Sequence, residues 1–219
     1  MLHLPFADRL QAGNLLAVEL ATRVHGRNAI VFGLARGGVP VASAVAQYLG
    51  LPLDVIVVRK LGVPWQPELA MGAIAGTARV LNESMVRQLG ISAEQVEKVV
   101  EREQAEMKRR EALYRGGQPT ADLAGRTAIL VDDGLATGST MLAAVRHVRN
   151  LGAARVVVAV PVGSKEAYDD LRREADKVIC LVVPEVFHAV GEWYRDFGQV
   201  GDEEVRKLLA GIGAKKPQL

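Results

Sequence analysis

The sequence predicts an α/β fold, specifically an open, mostly parallel, doubly wound sheet with helices on both faces. Short apolar runs of strand length alternate with helical segments over about residues 28–60 and again over about residues 127–183. Gly and Pro mark many boundaries between these segments. Hydrophobic residues make up 49% of the 219 residues, enough for a full core, and the length favours one domain over residues 1–219.

The first part of the chain is typical of a helix followed by a strand–helix–strand unit. The opening helix is expected from residue 8 to about residue 25, with Asp8 as its N-cap. A strand over residues 29–34, a helix over residues 40–50 and a strand over residues 54–58 follow. Strands joined in this way are parallel.

The middle of the chain departs from this alternation, and we expect an insertion over about residues 61–119. Its first part, residues 69–82, is expected to form a hairpin with a Gly-Thr turn. Its second part is expected to be one long helix over residues 92–115, because Ser92 and Gln95 form a capping box.

The α/β alternation resumes after the insertion. The expected strands cover residues 127–131, 155–160 and 178–183, and the expected helices cover residues 139–151 and 165–175. Residues 184–201 are aromatic-rich and irregular, and we expect them to form a small C-terminal hood. A short helix over residues 202–210 should follow.

Charge and composition argue against several classes of partner. The formal net charge is +2, and arginines alternate with Glu, so the sequence predicts neither nucleic acid nor an acidic membrane surface as a partner. Cys180 lies in an apolar run, which favours a buried small hydrophobe over a nucleophile. No signal-peptide pattern and no bilayer-spanning apolar stretch is visible, so we expect a soluble, cytoplasmic protein.

The stretch Val-Asp-Asp-Gly-Leu-Ala-Thr-Gly-Ser-Thr at residues 131–140 is the most informative part of the sequence. A strand ends in two adjacent carboxylates, Asp132 and Asp133, and a loop of small residues leads into a helix near Ser139. Ligands bind at the carboxyl ends of strands in open α/β sheets, and a helix N-terminus binds phosphate. The carboxylates would repel a phosphate but suit the hydroxyls of a sugar diol. The stretch therefore predicts a ribose 5-phosphate site.

Other interpretations of this stretch are weaker. A nucleotide P-loop requires G-x-x-x-x-G-K-[ST], but Gly134 and Gly138 are one residue too close together and no Lys precedes the Ser-Thr pair. The dinucleotide fingerprint G-x-G-x-x-G is absent. A plain Asp-Gly turn followed by a hydroxyl cap stays open, although it does not require two acids, two glycines and three hydroxyls together.

Residues 132–140 resemble the ribose-phosphate loop of type I phosphoribosyltransferases, most closely the Asp-Asp-x-x-Ala-Thr-Gly-x-Thr form of adenine phosphoribosyltransferases. The resemblance extends over most of the expected parallel core. It implies that Asp132 and Asp133 hold the ribose hydroxyls. The residues that it implies for the 5-phosphate are Ala136, through its backbone N–H, and Thr137, Gly138, Ser139 and Thr140.

Two further segments place positive charge at strand ends. Residues 33–38, Gly-Leu-Ala-Arg-Gly-Gly, follow a strand and open a helix, which is typical of an anion-binding turn. They resemble the diphosphate loop of the family, which assigns Arg36 and Gly37 to the diphosphate. Arg59 and Lys60 resemble the basic pair that meets the same group. An ordinary glycine-rich turn and a solvated charge pair are the alternatives.

The acceptor is the least defined part of the expected site. Residues 59–68, Arg-Lys-Leu-Gly-Val-Pro-Trp-Gln-Pro-Glu, resemble a branch of the family that implies no particular acceptor. Ala136 stands where the enzymes for 6-oxopurines carry an Asp, their proposed general base. Residues 183–191 loosely resemble the hood of those enzymes, in which Phe187 would stack on a planar acceptor. Candidates on a closing loop after Lys60 are Trp65, Gln66 and Glu68.

The resemblance implies transfer of ribose 5-phosphate from 5-phosphoribosyl-1-diphosphate to a nitrogenous acceptor, purine-like if the hood resemblance holds. It implies catalytic roles for Asp132, Asp133, Arg36 and Lys60. Mg²⁺ would be carried mainly by the diphosphate and the ribose hydroxyls, without a cage of protein ligands. The expected partners are the sugar diphosphate, a small acceptor and further copies of the chain in a homo-oligomer. The alternative is a regulatory protein that binds the sugar diphosphate without transferring it.

Overall fold

The computed structural model describes residues 4–24 and 28–213 of the chain. The strands are β1 (Ala29–Ala35), β2 (Leu53–Val63), β3 (Gln66–Ala75), β4 (Ala78–Leu81), β5 (Thr127–Val131), β6 (Arg155–Val162) and β7 (Lys177–Val182). The α-helices are α1 (Arg9–Ala21), α2 (Gly38–Leu49), α3 (Glu83–Gln88), α4 (Ala93–Arg115), α5 (Ser139–Asn150), α6 (Lys165–Glu174) and α7 (Asp202–Gly213). A 3₁₀ turn covers Val190–Trp193.

The described strands form one sheet in the order β4-β3-β2-β1-β5-β6-β7. Five neighbouring strands, β2-β1-β5-β6-β7, are all parallel. From β1 the chain moves outward to β2, and from β5 it moves outward in the opposite direction to β6 and β7, so the strand order reverses between β1 and β5. The predicted open, mostly parallel α/β fold is confirmed.

Helices cover both faces of the sheet. On one face α1 and α2 pack against β1, β5 and β6, with Leu16, Val45 and Val157 in the shared core. The same face continues over β2 and β3, where α4 and α7 pack. On the opposite face α5 and α6 bury Met141 and Leu171 against the sheet. Because successive side chains of a strand point to opposite faces of the sheet, the strands contribute to an apolar layer on each face.

The predicted hairpin is present and continues the same sheet. Strands β3 and β4 pair antiparallel and join through Gly76 and Thr77. Gly76 has φ of +53°, which favours glycine. An added Cβ there would lie 2.2 Å from the imidazole of His147, so α5 packs directly against this turn.

The structure differs from the sequence-based expectations in three places. Helix α1 ends at Ala21, earlier than expected, with Thr22 as its C-cap, and the expected end at residue 25 lies outside the described residues. Strand β2 does not stop at Val58 but runs to Val63, because it pairs with β3 through a two-residue turn at residues 64–65. The short helix α3 was not predicted, although Asn82 caps it by accepting from the N–H of Met85 at 3.0 Å.

Strand β2 bends where it leaves the parallel sheet. Its register against β3 shifts on both sides of Gly62. A Cβ on Gly62 would lie 2.2 Å from the carbonyl oxygen of Pro67, so only glycine permits this close approach. The expected closing loop after Lys60 is therefore a β-ribbon.

Among residues 4–24 and 28–213, the helices lack the combination of length and apolar composition that a bilayer crossing requires.

Candidate active site

A cleft of about 1170 Å³ opens at the carboxyl ends of β1, β2 and β5. It lies where the strand order reverses, the place where open α/β sheets bind ligands. Its basic lining residues are Arg9, Arg36, Arg59, Lys60, Arg102 and Arg110, and its acidic lining residues are Glu68, Glu103, Asp132 and Asp133. Because basic side chains outnumber acidic ones, the cleft suits an anion.

The loop between β5 and α5 forms an anion cradle on one side of the cleft. Gly138 is the N-cap of α5 and has φ of +74°, a conformation that favours glycine. The first intrahelical bond runs from the N–H of Leu142 to the carbonyl of Gly138 at 2.8 Å, so the preceding N–H groups of the first turn are free for a ligand. The residues of the loop that line the cleft are Ala136, Thr137, Gly138, Ser139 and Thr140, all five predicted for the phosphate.

Hydrogen bonds from the loop between β6 and α6 and from the end of β6 hold the cradle in place. The N–H of Leu135 donates to the carbonyl of Val162 at 2.9 Å, and the N–H of Ser164 donates to the carbonyl of Leu135 at 2.9 Å. The hydroxyl of Ser164 donates to the carbonyl of Ala136 at 2.7 Å. Because these bonds hold the backbone, the exposed Thr137 side chain projects from a rigid loop.

The two adjacent acids lie between the cradle and the first glycine-rich loop. Burial raises the pKa of Asp132 well above its ordinary value, and repulsion from Asp133 raises it further. Burial also raises the pKa of Asp133, and the Arg9 guanidinium opposes that rise. The backbone N–H of Asp133 donates to Oδ1 of Asp132 at 2.9 Å. A desolvated acid pair facing an anion site is typical of a functional site.

The two loops meet in close contact. A Cβ on Gly37 would lie 2.1 Å from Oδ2 of Asp133, and a Cβ on Gly38 would lie 2.5 Å from the carbonyl oxygen of Val131. Glycines at these positions therefore let the first turn of α2 lie directly against the acids. The predicted Gly37 is in the cleft, beside the acid pair.

Arg36 reaches the opposite side of the cleft, where it has a carboxylate partner. Its Nη1 lies 3.6 Å from Oδ1 of Asp202 at the start of α7. The Tyr114 hydroxyl donates to the same oxygen at 2.5 Å. This hydrogen bond, followed by the charge of Arg36, lowers the pKa of Asp202, while burial and then Asp202 raise the pKa of Tyr114 to about 12. The peptide bond between Ala35 and Arg36 is cis.

Arg59 is also paired, whereas its neighbour Lys60 is exposed. The Nε and Nη2 atoms of Arg59 donate to Oε2 of Glu103 at 2.9 and 2.7 Å. Glu103 is a buried residue of α4 and also accepts from Arg102 at 3.1 Å. Lys60 lines the cleft and forms no ion pair with another described residue. The three cations predicted for the diphosphate thus lie in one cleft. Arg36 and Arg59 are each already paired with a carboxylate.

The C-terminal segment lies beside the acid pair of the cleft. Val190 and Phe197 line the cleft, and Phe197 stacks on Tyr194 with ring centroids 5.0 Å apart. Phe187 is half-buried and does not belong to the cleft lining, so its stacking on an acceptor stays a prediction from the hood resemblance. Of the expected loop residues, Glu68 lines the cleft, while Trp65 is 57% exposed at the ribbon tip.

Sequence reasoning missed Arg9, which contacts one of the predicted acids. Its Nε and Nη2 atoms each lie 2.9 Å from Oδ2 of Asp133. The two residues are 124 positions apart, and nothing in the local sequence of α1 indicates the pairing. It also missed the carboxylate partners Glu103 and Asp202.

A Mg²⁺ expected from the family resemblance would arrive with the substrate. Asp132 and Asp133 lie beside the cradle, where the resemblance assigns them to sugar hydroxyls. Within the described part of the chain, no three His, Cys, Asp or Glu side chains gather as a metal cage. Such an ion would complete its coordination shell largely with substrate oxygens and water.

Comparison with known proteins identifies the family. The model of the phosphoribosyl transferase domain matches residues 8–197. This chain belongs to the type I phosphoribosyltransferase family. The match includes both glycine-rich loops, the acid pair and the segment that carries Phe197.

Relatives within the phosphoribosyltransferase family cover most of the chain. A provisionally named phosphoribosyl transferase of Mycobacterium tuberculosis strain H37Rv is 48% identical over 205 residues, which are 93% of this chain and 46% of the relative. Its counterpart in strain CDC 1551 matches equally. The chain thus spans about half the length of these curated relatives. The crystal structure of TT1426 from Thermus thermophilus is 44% identical, with a TM-score of 0.79, covering 94% of this chain and 98% of that chain.

Proposed function

We propose that this protein transfers ribose 5-phosphate from 5-phosphoribosyl-1-diphosphate to a nitrogenous acceptor and releases diphosphate. One observation carries the proposal: an anion cradle, an acid pair and three cations line one cleft. The sugar diphosphate would match these three features in order, with its phosphate on the cradle, its diol on the acids and its diphosphate on the cations. A plain phosphate site would need neither the acid pair nor the three cations on the other side of the cleft.

The cradle would hold the 5-phosphate and so fix one end of the substrate. The free N–H groups at the start of α5 and the hydroxyls of Thr137, Ser139 and Thr140 supply donors to its oxygens. Asp132 and Asp133 would accept hydrogen bonds from the ribose hydroxyls. Held at both points, the sugar can present its anomeric carbon in one orientation, which is the positioning that accelerates such reactions.

The cations at the other side of the cleft would bind the diphosphate leaving group. The acceptor nitrogen attacks the anomeric carbon, the bond from that carbon to the diphosphate oxygen breaks, and the diphosphate leaves with the electron pair. The acceptor nitrogen then releases its proton to water. Arg36, Arg59 and Lys60 would neutralise the negative charge that develops on it. Mg²⁺, when bound with the substrate, would neutralise part of the same charge.

The acceptor would enter beside the C-terminal segment. Val190 and Phe197 give that part of the cleft apolar and aromatic surface, and Gln199 gives it an amide. Such a surface suits a planar heterocycle with polar edges. Ala136 offers no acid or base at the position where the 6-oxopurine enzymes carry one, so the proposal commits to a nitrogenous acceptor and not to a 6-oxopurine.

The first experiment measures binding and chemistry separately. Titration calorimetry with Mg²⁺ should show binding of 5-phosphoribosyl-1-diphosphate by the wild-type protein. Asp133→Asn should weaken that binding at least tenfold, about 1.4 kcal/mol, because the amide is a poorer acceptor for a hydroxyl. Asp122→Asn is the matched control, because Asp122 is exposed and distant from the cleft.

The second experiment distinguishes a transferase from a binding protein. Diphosphate release is followed with purines, pyrimidines and small amines as candidate acceptors. A transferase releases diphosphate with at least one of them. Tight binding with no release from any of them would favour the regulatory alternative, and no binding at all would refute both.

A further inference from the structure

Arg9, the first residue of α1, joins three parts of the molecule. Its Nε and Nη2 atoms contact Oδ2 of Asp133, each at 2.9 Å. Its Nη1 donates to the carbonyl oxygen of Gly198 at 2.8 Å. The guanidinium carbon lies 4.0 Å above the centroid of the Phe197 ring. With its side chain only 12% exposed, Arg9 is held in one geometry and not free to follow a substrate.

Asp133 is held on all sides except at one oxygen. Oδ2 faces Arg9 and the backbone of Gly37, where an added Cβ would lie 2.1 Å away. The Tyr194 hydroxyl donates to the backbone carbonyl of Asp133 at 2.6 Å. Within residues 4–24 and 28–213, no side chain donates a hydrogen bond to Oδ1 of Asp133. One carboxylate oxygen is therefore engaged by the protein and the other is left for a ligand.

We propose that Arg9 is a positioning residue for sugar binding: it holds Oδ2 of Asp133 so that Oδ1 can accept a hydrogen bond from a ribose hydroxyl. This inference rests on the proposed function, because it presumes a ribose in the cleft. Arg9 itself acts through Asp133. Its fixed fork of donors and its permanent charge suit this role.

The charges around Asp133 show why a cation is required there. Burial raises its pKa, and the adjacent Asp132 carboxylate is a like charge. Tyr194 faces it as a neutral phenol, since burial raises the pKa of that hydroxyl. Lys60 acts on Asp132 from the far side of the cleft. Arg9 is the cation that contacts Asp133 and lowers its pKa.

Protonation of Asp133 determines how ligand affinity should change with pH. A protonated Asp133 is a weaker acceptor for a hydroxyl, so binding should weaken as pH falls through its pKa. Without Arg9 that pKa rises, so binding should weaken at a higher pH than in the wild-type protein. The phosphate groups of the ligand also titrate near pH 6, but their contribution is the same for every variant and cancels in the ratio of affinities.

A purely structural role makes a different prediction. Through Gly198 and Phe197, Arg9 also attaches the C-terminal segment to α1. If that attachment were its whole role, removing the charge would lower the melting temperature and change affinity by one factor at every pH. The pH profile therefore separates positioning of Asp133 from attachment of the segment.

The experiment measures affinity for ribose 5-phosphate and for 5-phosphoribosyl-1-diphosphate with Mg²⁺ from pH 5.5 to 8.5. Arg9→Gln should bind both ligands at least tenfold more weakly than wild type at pH 6, with a ratio that shrinks toward pH 8.5. Arg9→Lys keeps the charge but loses the fork, so its loss at pH 6 should be three- to fivefold. Arg23→Gln, which breaks only a half-exposed pair with Glu19, should match wild type.

Each result decides one question. A ratio for Arg9→Gln that is constant across the pH range overturns the inference. If Arg9→Gln does not fold, Arg9→Lys carries the test, and wild-type affinity for that variant at every pH overturns the inference as well. Absence of binding by the wild-type protein refutes the proposed function and not the geometry of the Arg9–Asp133 pair.

Discussion

The two ends of the cleft are built by different kinds of contact. At the proposed sugar end, residues 132–140 form the acid pair and the cradle within one short stretch, and the backbone of α5 supplies the donors. At the proposed diphosphate end, Arg36 follows β1 and Arg59 lies in β2. Each is held by a carboxylate from a helix elsewhere in the chain, Asp202 for Arg36 and Glu103 for Arg59. The first end is built around a local motif, to which Arg9 adds one long-range ion pair, whereas both arginines of the second end depend on long-range ion pairs.

This difference has a thermodynamic meaning. The cradle is ready for an anion, because unpaired N–H groups at a helix start have no internal competitor. If a diphosphate binds at the other end as proposed, the arginines there must exchange one anionic partner for another. The net gain from each arginine is therefore smaller than its charge alone suggests. Three substitutions test this contrast, in decreasing order of expected effect.

Arg36→Ala should discriminate between ligands most strongly. We expect 5-phosphoribosyl-1-diphosphate to bind about 10–100-fold more weakly, because a charge-assisted hydrogen bond contributes roughly 1.5–3 kcal/mol. Ribose 5-phosphate should bind within twofold of wild type. Competition calorimetry with both ligands measures this, with Arg79→Ala as the control because Arg79 pairs with Glu97 outside the cleft. Equal losses for the two ligands would move Arg36 out of the diphosphate end.

Asp132→Asn should stabilise the fold in a pH-dependent way. The pKa of Asp132 is raised above its ordinary value of 3.8 in the fold, so the native protein keeps a proton that the unfolded chain releases. The stability from that proton is present at low pH and is lost as pH rises through the raised pKa. Asn does not suffer this loss.

The melting temperature of Asp132→Asn minus that of wild type should therefore be larger at pH 8 than at pH 5. A rise of about 2–4 °C corresponds to roughly 1 kcal/mol in a domain of this size. Thermal unfolding at the two pH values measures it, and Asp122→Asn should show no such change. A difference that is the same at both pH values contradicts the burial argument, and weaker sugar-phosphate binding should accompany the gain in stability.

Asp202→Asn should have the smallest effect. It removes the resident charge beside Arg36 but keeps an acceptor for the Tyr114 hydroxyl. Because partly exposed ion pairs contribute about 0–1 kcal/mol, 5-phosphoribosyl-1-diphosphate should bind up to about fivefold more tightly. Calorimetry with ribose 5-phosphate as the unaffected reference measures it. Weaker binding instead would mean that Asp202 orients Arg36 and does not compete for it.

The contrast between the two ends also explains what the sequence could predict. Strand β5 was predicted with its observed bounds, and the cradle after it was assigned residue by residue, because both depend on neighbours within about ten residues. The charges of Arg36, Arg59 and Lys60 at strand ends were equally evident. Their placement in one cleft follows from the parallel order of the strands.

The remaining features depend on contacts that no local pattern encodes. The pairing of Arg9 with Asp133 joins positions 124 residues apart. The local sequence of α1 indicates an amphipathic helix and nothing about this contact. Strand β2 continues past Val58 because β3 pairs with it, which overrides the end suggested by the charged residues that follow. Phe197 lines the cleft although no sequence pattern singled it out, because the path of an irregular segment is set by tertiary packing.

The contact between Gly37 and Asp133 couples the two ends in a further sense. A side chain added at position 37 would displace the carboxylate, since its Cβ would lie 2.1 Å from Oδ2. Substitutions at these two positions should therefore be epistatic, and a mutational scan of either loop alone would misassign the effect. In protein engineering, the first glycine-rich loop and the acid pair of this cleft form one unit of variation and should be randomised together.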